Sequence, residues 1–496
     1  MKTLLTAVAL SFALAGAPAL AKPPTDQRSK EIGQALEHFH KDQHGFMNQH
    51  VKKLRANPHP KFREHQKGNT QHLKHAHRVK HHRAHPAGKE GPAYNDQAVN
   101  LVDKLVVTKL EDMEAKKLMS AQLAETPWSD DYWAIYLGGI AKRYADPTLG
   151  YGENWKKNTD LVKAAWKRPQ TPAEIDKLSP AEKYDLLVGD KNRGLTNHQM
   201  SEGAEYAKPD GSGVETWMGH CHGWAPAAFS VGRPKTKITV LAADGKTKIT
   251  FYPADIRALT TLLWANTNPT TKFIGGRCNT KNPPMDANGR ITEAACRDIN
   301  PATWHEAVVN QIGVAKRSMV LDVTFDYEVW NQPFYKYSYT YFNPQTKEAS
   351  ATLAGAKVAK GFAGDKFAAH RSPKATSIVG IAMDAVWIVE TLPGHTPVPT
   401  SMRDDLTNGA RYLYDLEIDA QGNVIGGEWY QNSHPDFLWT PPPGTHARAP
   451  GEPAVTWDGK TALPAAVRTA AASLSPNGYP IGAIIEKLAA RSASGK

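Results

Sequence analysis

Three cysteines occur in 496 residues, and one of them stands in Gly219-His220-Cys221-His222-Gly223-Trp224-Ala225-Pro226, a setting in which a thiol could act as a nucleophile. The thiolate is the reactive form, and a helix N-terminus or a neighbouring imidazolium lowers the thiol pKa from about 8.5. Asp210-Gly211-Ser212-Gly213 reads as a turn, and the small Ala225, Ala227 and Ala228 suit a closely packed helix, so Cys221 falls at a loop-to-helix junction. Gly219 and Gly223 would let a substrate carbonyl approach main-chain N–H groups. The competing reading is a structural thiol, since unpaired cysteine is among the most buried residue types.

A nucleophilic thiol needs a base, and the base needs a group to orient it. His305 is the first candidate. Read as strands, Trp304-His305-Glu306-Ala307-Val308-Val309 and Met319-Val320-Leu321-Asp322-Val323-Thr324 would set the Asp322 carboxylate against the imidazole. Asn300-Pro301 is equally a helix start, and on a helix that argument lapses. His434, just beyond a strand and close to Asp436, is the second candidate. Trp217, His222 and Trp224 are expected to line the substrate pocket, the two indoles shielding a thioester from water.

Cys278 and Cys296 flank a polar loop and are expected to pair in an oxidising compartment, leaving Cys221 as the odd thiol. The N-terminus agrees with export: Lys2, an apolar run from Leu4 to Ala15, and Ala19-Leu20-Ala21 read as a signal peptide over residues 1–21. A secreted or periplasmic protein is expected. No later stretch approaches the roughly 20 apolar residues of a membrane span.

The formal charge of +11 is concentrated in a tail, because residues 1–90 hold 16 Lys plus Arg against 6 Asp plus Glu. Residues 22–92 also hold 12 of the 20 His, crowded in His72-Leu73-Lys74-His75-Ala76-His77 and His81-His82-Arg83-Ala84-His85. With few large apolar residues this segment is expected to stay disordered or loosely helical, as a pro-segment that could inhibit in cis, or as a metal-scavenging tail. No aromatic interleaving supports nucleic-acid binding.

The fold class expected is α+β. A helical lobe over residues 93–210 rests on helical spacing from Leu101 to Leu123, on a helix capped by Ser129, and on the N-cap-plus-Pro signals Thr171-Pro172 and Ser179-Pro180. A β-rich lobe over 211–445 rests on a hairpin around Asp244-Gly245 and on alternating runs from Tyr335, Ser377, Tyr412 and Val424. Residues 446–496 read as a linker and a last helix. Asp286-Ala287-Asn288-Gly289 opens like a calcium loop but lacks the remaining ligands, so it reads as a turn, and no metal or cofactor is assigned.

Val329-Trp330-Asn331-Gln332-Pro333 resembles the signature of the oomycete cell-wall elicitor, and Pro127–Trp133, Leu178–Asp190, Gly219–Ala228, Gly426–Trp429 and His434–Trp439 resemble further parts of the same transglutaminase elicitor family, which has bacterial members. The resemblance implies a protein-glutamine γ-glutamyltransferase with a papain- or transglutaminase-like Cys-His-Asp site at the junction of the lobes. Cys221, His305 and Asp322-Val323-Thr324 match its order Cys, His, Asp-x-Thr. It implies a glutamine donor and a lysine or other amine acceptor as protein substrates. After Pro333 the chain leaves the elicitor pattern, so recognition by plants does not carry over. The rivals are a secreted cysteine protease or amidase, which the same triad would serve, and a non-enzymatic His-rich metal-binding protein.

Overall fold

A computed structural model describes residues 26–50, 53–54, 96–211, 213–278, 280, 282–325, 328–395 and 399–495. The expected signal peptide and the His-rich tract over residues 72–85 lie outside them.

The strands are β1 (Lys53–Leu54), β2 (Ser120–Gln122), β3 (Ile238–Leu241), β4 (Lys248–Phe251), β5 (Lys272–Gly275), β6 (Val320–Asp322), β7 (Asn331–Phe342), β8 (Ala349–Ser350), β9 (Val358–Ala359), β10 (Ser377–Val389), β11 (Leu406–Ile418), β12 (Val424–Trp429) and β13 (Phe437–Thr440). β3 and β4 form the expected hairpin. The others make one antiparallel sheet with the spine β1-β11-β10-β7-β6-β13-β5, to which β12, β2, β8 and β9 add at the edges. Its centre is the long meander β7, β10 and β11, in the register Ile381 opposite Tyr341 and Tyr414.

Side chains on a strand alternate between faces, and this sheet is covered on both. Met383, Tyr339 and Tyr414 face a cluster that holds the helix Pro301–Val308. The intervening Ala382 and Leu413 face the helix Asp26–Lys41, whose Ile32, Leu36 and Phe39 are buried. The segment expected to stay disordered or loosely helical is therefore corrected in its first part, a helix packed on the sheet. The spacing i, i+4, i+7 puts these three residues on one helical stripe, Phe39 stacks on Tyr430 at 4.4 Å, and Arg28 pairs with Asp384 at 3.1 Å. The segment after it stays attached: Asn432 donates its amide to the Met47 carbonyl, Ser433 Oγ donates to the Gln49 carbonyl at 2.9 Å, and His50 lies against Phe325.

Between residues 96 and 210 the helices differ from those read in the sequence. The capped helices Pro172–Asp176 and Pro180–Val188 form as read, the second with a complete Ser179–Glu182 capping box. The expected helix through Leu101–Leu123 is reduced to one short helix, Leu110–Ala115, and the strand β2. Amide groups at Asp103, Val106 and Val107 bond the side chains of Gln311 and Asn310 instead of a helical ladder. Ser129 caps no helix; its hydroxyl accepts from the Leu406 amide. A fifteen-residue helix, Pro253–Thr267, stands inside the region read as β-rich. The expected last helix forms as Gly482–Ser494, and the stretch before it, read as a linker, carries a further helix, Ala465–Leu474, whose Val467 and Ala471 join Ile484, Ile485 and Leu488 in the helical core. The loop at Asp286 is a turn, its carboxylate accepting from the Asn288 and Arg290 amides. Among the described residues no helix is long and apolar enough to cross a membrane, and no group of three or more His, Cys, Asp and Glu has metal-holding geometry.

Candidate active site

Cys221 is the first residue of the helix Cys221–Ser230. This helix crosses Pro253–Thr267 at close range because Gly223 has no side chain: a Cβ there would stand 2.1 Å from the Thr261 carbonyl oxygen. Gly219 is likewise forced by the Tyr132 carbonyl, 2.4 Å from its would-be Cβ. The two glycines set chain packing rather than opening a path for substrate. Pro226 sits inside the helix and supplies no N–H to it.

The thiol is 5 % exposed. It donates towards the Val329 carbonyl at 3.8 Å, and Asn331 Nδ2 donates to Sγ at 3.6 Å. Burial pushes its pKa up to about 11, against the lowering effect of the Asn331 donors, with Glu390 and Asp322 also raising it. Asp322 is opposite Asn331 in the β6–β7 register, so the two side chains share a face. Asp322 Oδ1 accepts from Thr324 Oγ1 at 2.6 Å and from the Trp330 amide at 3.0 Å. Its Oδ2 is buried without a hydrogen-bond partner. Burial raises this carboxyl to about 7, against those hydrogen bonds and Arg277.

The segment Val329–Gln332 thus lies against the Cys221 thiol. Trp330 packs on Tyr132 with ring centroids 5.3 Å apart, and Gln332 Nε2 donates to the buried Glu390. Asn331, Trp439 and Glu390 are neighbours of the thiol or of its contacts that sequence reasoning does not pick out. In the sequence Val329–Pro333 stands out by its resemblance, and the adjacent carboxamides of Asn331 and Gln332 between Trp330 and Pro333 are a chemical signal in their own right.

His305 is on a helix, not a strand, and hydrogen-bonds neither Cys221 nor Asp322. Its Nδ1 shares a 2.8 Å hydrogen bond with the Tyr414 hydroxyl, its ring lies 4.8 Å from that of Tyr339, and its Nε2 has no hydrogen-bond partner. Burial drives its pKa down to about 3. The alternation of β6 and β13 explains the separation. Val320, Phe437 and Trp439 face Ala225 of the Cys221 helix, whereas Leu321 and Leu438 face the cluster of Trp304 and Ala307. The two helices lie on opposite faces of that pair of strands.

His434 stacks on Trp429 at 4.6 Å, is lowered to about 4 by burial, and lines a cavity of about 600 Å³ with Asp298, Glu306 and Arg290. Burial raises the Asp298 carboxyl, against the opposing effect of the nearby Asp436. Of the expected pocket residues, Trp224 is fully buried with its Nε1 on the Trp128 carbonyl, so it serves the core. Trp217 is half-buried with its Nε1 on Glu215. His222 is half-buried, its ring 6.3 Å from that of His220. His220 itself is buried and bonds Glu202 and the Trp133 carbonyl; burial opposes its charge, but Glu202 raises its pKa overall.

Cys278 and Cys296 form the expected disulfide, and Cys221 is free.

The transglutaminase elicitor family model matches residues 98–458, and the chain belongs to that family. The fold is similar to that of the GP42 transglutaminase from Phytophthora sojae, with a TM-score of 0.50 and 21 % identity over 79 % of this chain and 94 % of that one. A comparison with curated proteins gives no match.

Proposed function

We propose that the protein is a secreted or periplasmic protein-glutamine γ-glutamyltransferase with Cys221 as nucleophile. The observation that carries this reading is the Cys221 thiol at a helix N-terminus, contacted by Asn331, which has Asp322 beside it in the β6–β7 register, in a chain of the transglutaminase elicitor family. Sγ attacks the γ-carboxamide of a protein glutamine, a carbon–sulfur bond forms as the carbon–nitrogen bond breaks, and ammonia leaves with the thiol proton. Asp322, whose Oδ2 has no hydrogen-bond partner, is the group we assign to carry that proton, because a carboxyl titrating near the working pH suits both its uptake and its return. A lysine amine then attacks the thioester, the isopeptide bond forms, and the thiol is regenerated. Water in place of the amine yields glutamate. His305 lies on the face of the β6–β13 pair away from the thiol and His434 is stacked on Trp429, so neither is given a step.

The test is incorporation of a fluorescent primary amine into a glutamine peptide, scored beside ammonia release and new N-termini. Amine incorporation that vanishes in Cys221→Ala supports the transferase. New N-termini without amine incorporation would make it a protease. Activity that needs residues 22–92 and survives Cys221→Ala would favour the metal-binding module.

A further inference from the structure

The notable feature of the thiol's surroundings is that the Asn331 carboxamide is held in one orientation. An indole N–H can only donate. Trp439 Nε1 meets Asn331 Oδ1 at 2.8 Å, which identifies that atom as the oxygen and leaves the NH₂ end for the sulfur, 3.6 Å away. Asn331 is buried and starts β7, and Trp439 sits on β13, with β6 pairing to both strands. Three strands therefore fix one donor on the nucleophile. A donor to a thiol is weak, but once the sulfur carries a negative charge the same hydrogen bond becomes charge-assisted and stronger. The thiol's other neighbours work the opposite way: the Val329 carbonyl accepts its proton, and Glu390 and Asp322 are acidic.

We propose that Asn331 is a catalytic residue whose Nδ2–H stabilises the Cys221 thiolate, and that Trp439 is a positioning residue that prevents its carboxamide from turning its oxygen to the sulfur. This rests on Cys221 being the nucleophile of the proposed transferase, but not on which acyl group it receives. The step it assists is ionisation alone: the S–H bond breaks, the electron pair stays on sulfur, and the proton passes to a carboxylate.

The experiment is the pH profile of Cys221 alkylation by iodoacetamide, followed by mass spectrometry of the intact full-length protein, which requires no glutamine substrate. Below the thiol pKa the rate tracks the thiolate fraction, and loss of one hydrogen bond to a charge is expected to lower it about tenfold or more in Asn331→Leu. Asn331→Asp, nearly isosteric, is expected to react more slowly still, because it sets a negative charge beside the sulfur. Trp439→Phe keeps Asn331 and is expected to move the profile in the same direction by a smaller amount. Wild-type profiles in folded Asn331→Asp and Asn331→Leu would overturn the proposal. Should those variants not fold, an unshifted profile in Trp439→Phe would overturn it. A protein that shows these shifts but transfers no amine would refute the transferase reading and leave the role of Asn331 standing.

Discussion

On one face of the β6–β13 pair the Cys221 thiol meets a carboxamide, a carbonyl and a nearby carboxyl. On the other, the helix bearing His305 meets a phenol and a bed of aromatic rings. Both titratable groups are buried and both are driven towards their neutral forms, the thiol upward and the imidazole downward. The difference lies in what surrounds them. Cys221 has a fixed donor that favours its anion, whereas His305 has no carboxylate that would favour its cation. Burial alone thus makes a core residue of a histidine, and burial plus a directed donor makes a candidate nucleophile.

The most severe test of this contrast is Cys221→Ala, expected to lower amine incorporation at least about a thousandfold while leaving the fold intact. If His305→Ala matched that loss in a folded protein, the two faces would have to be coupled in catalysis. Next in size is Asp322→Asn, expected to cost about 10² to 10⁴ in turnover. With Asp322 raised to about 7 and active as the carboxylate, wild-type turnover should climb as pH rises through that region. A rate profile flat from pH 5 to 8 would remove Asp322 from the mechanism.

His305→Ala is expected to act on stability instead, at about 2–4 kcal/mol for a truncated core side chain, with Cys221 alkylation unchanged. The sign with pH follows from its lowered folded pKa. The folded protein keeps the imidazole neutral while the unfolded chain takes up a proton below about 6.5, so its share of stability is present above that pH and is lost on acidification. His305→Gln should flatten the acid limb of a melting-temperature profile; an unaltered limb would mean the ring is not held neutral. Replacing both Cys278 and Cys296 by Ala should cost about 3 kcal/mol for a loop of this length, again without touching thiol reactivity. The smallest effect sought is Gly223→Ala. A Cβ against the Thr261 carbonyl must shift the Cys221 helix, at about 1–3 kcal/mol. Alkylation kinetics should change with it, since Asn331 stays on the sheet.

Local signals were legible where the chain satisfies its own backbone. Ser179-Pro180 with Glu182 announced a helix, Asp244-Gly245 a hairpin, and the Cys221 helix start was placed correctly. The spacing of Leu101 to Leu123 misled because Asn310 and Gln311, two hundred residues away, supply the hydrogen bonds that a helix would have made. The order Cys, His, Asp misled for a different reason: Leu321 and Asp322 are neighbours in sequence yet face opposite sides of a strand. Whether a histidine after the cysteine reaches it depends on which face its helix covers. The site's amides were visible as residues, but their orientation depends on an indole more than a hundred positions away.

The docking of Asp26–Lys41 on the sheet changes what a proteolytic cut would do. Its contacts with Phe342, Leu413 and Tyr430 are apolar and far apart in sequence, so they do not depend on the peptide bonds of residues 55–95. A chain nicked there should still run as one particle in gel filtration while giving two bands on a denaturing gel. A chain expressed from Gly91 onward is another matter. It would offer Phe342, Phe367, Leu413 and Tyr430 to water as a continuous greasy surface, and it should regain solubility when a synthetic peptide of residues 26–50 is supplied in trans.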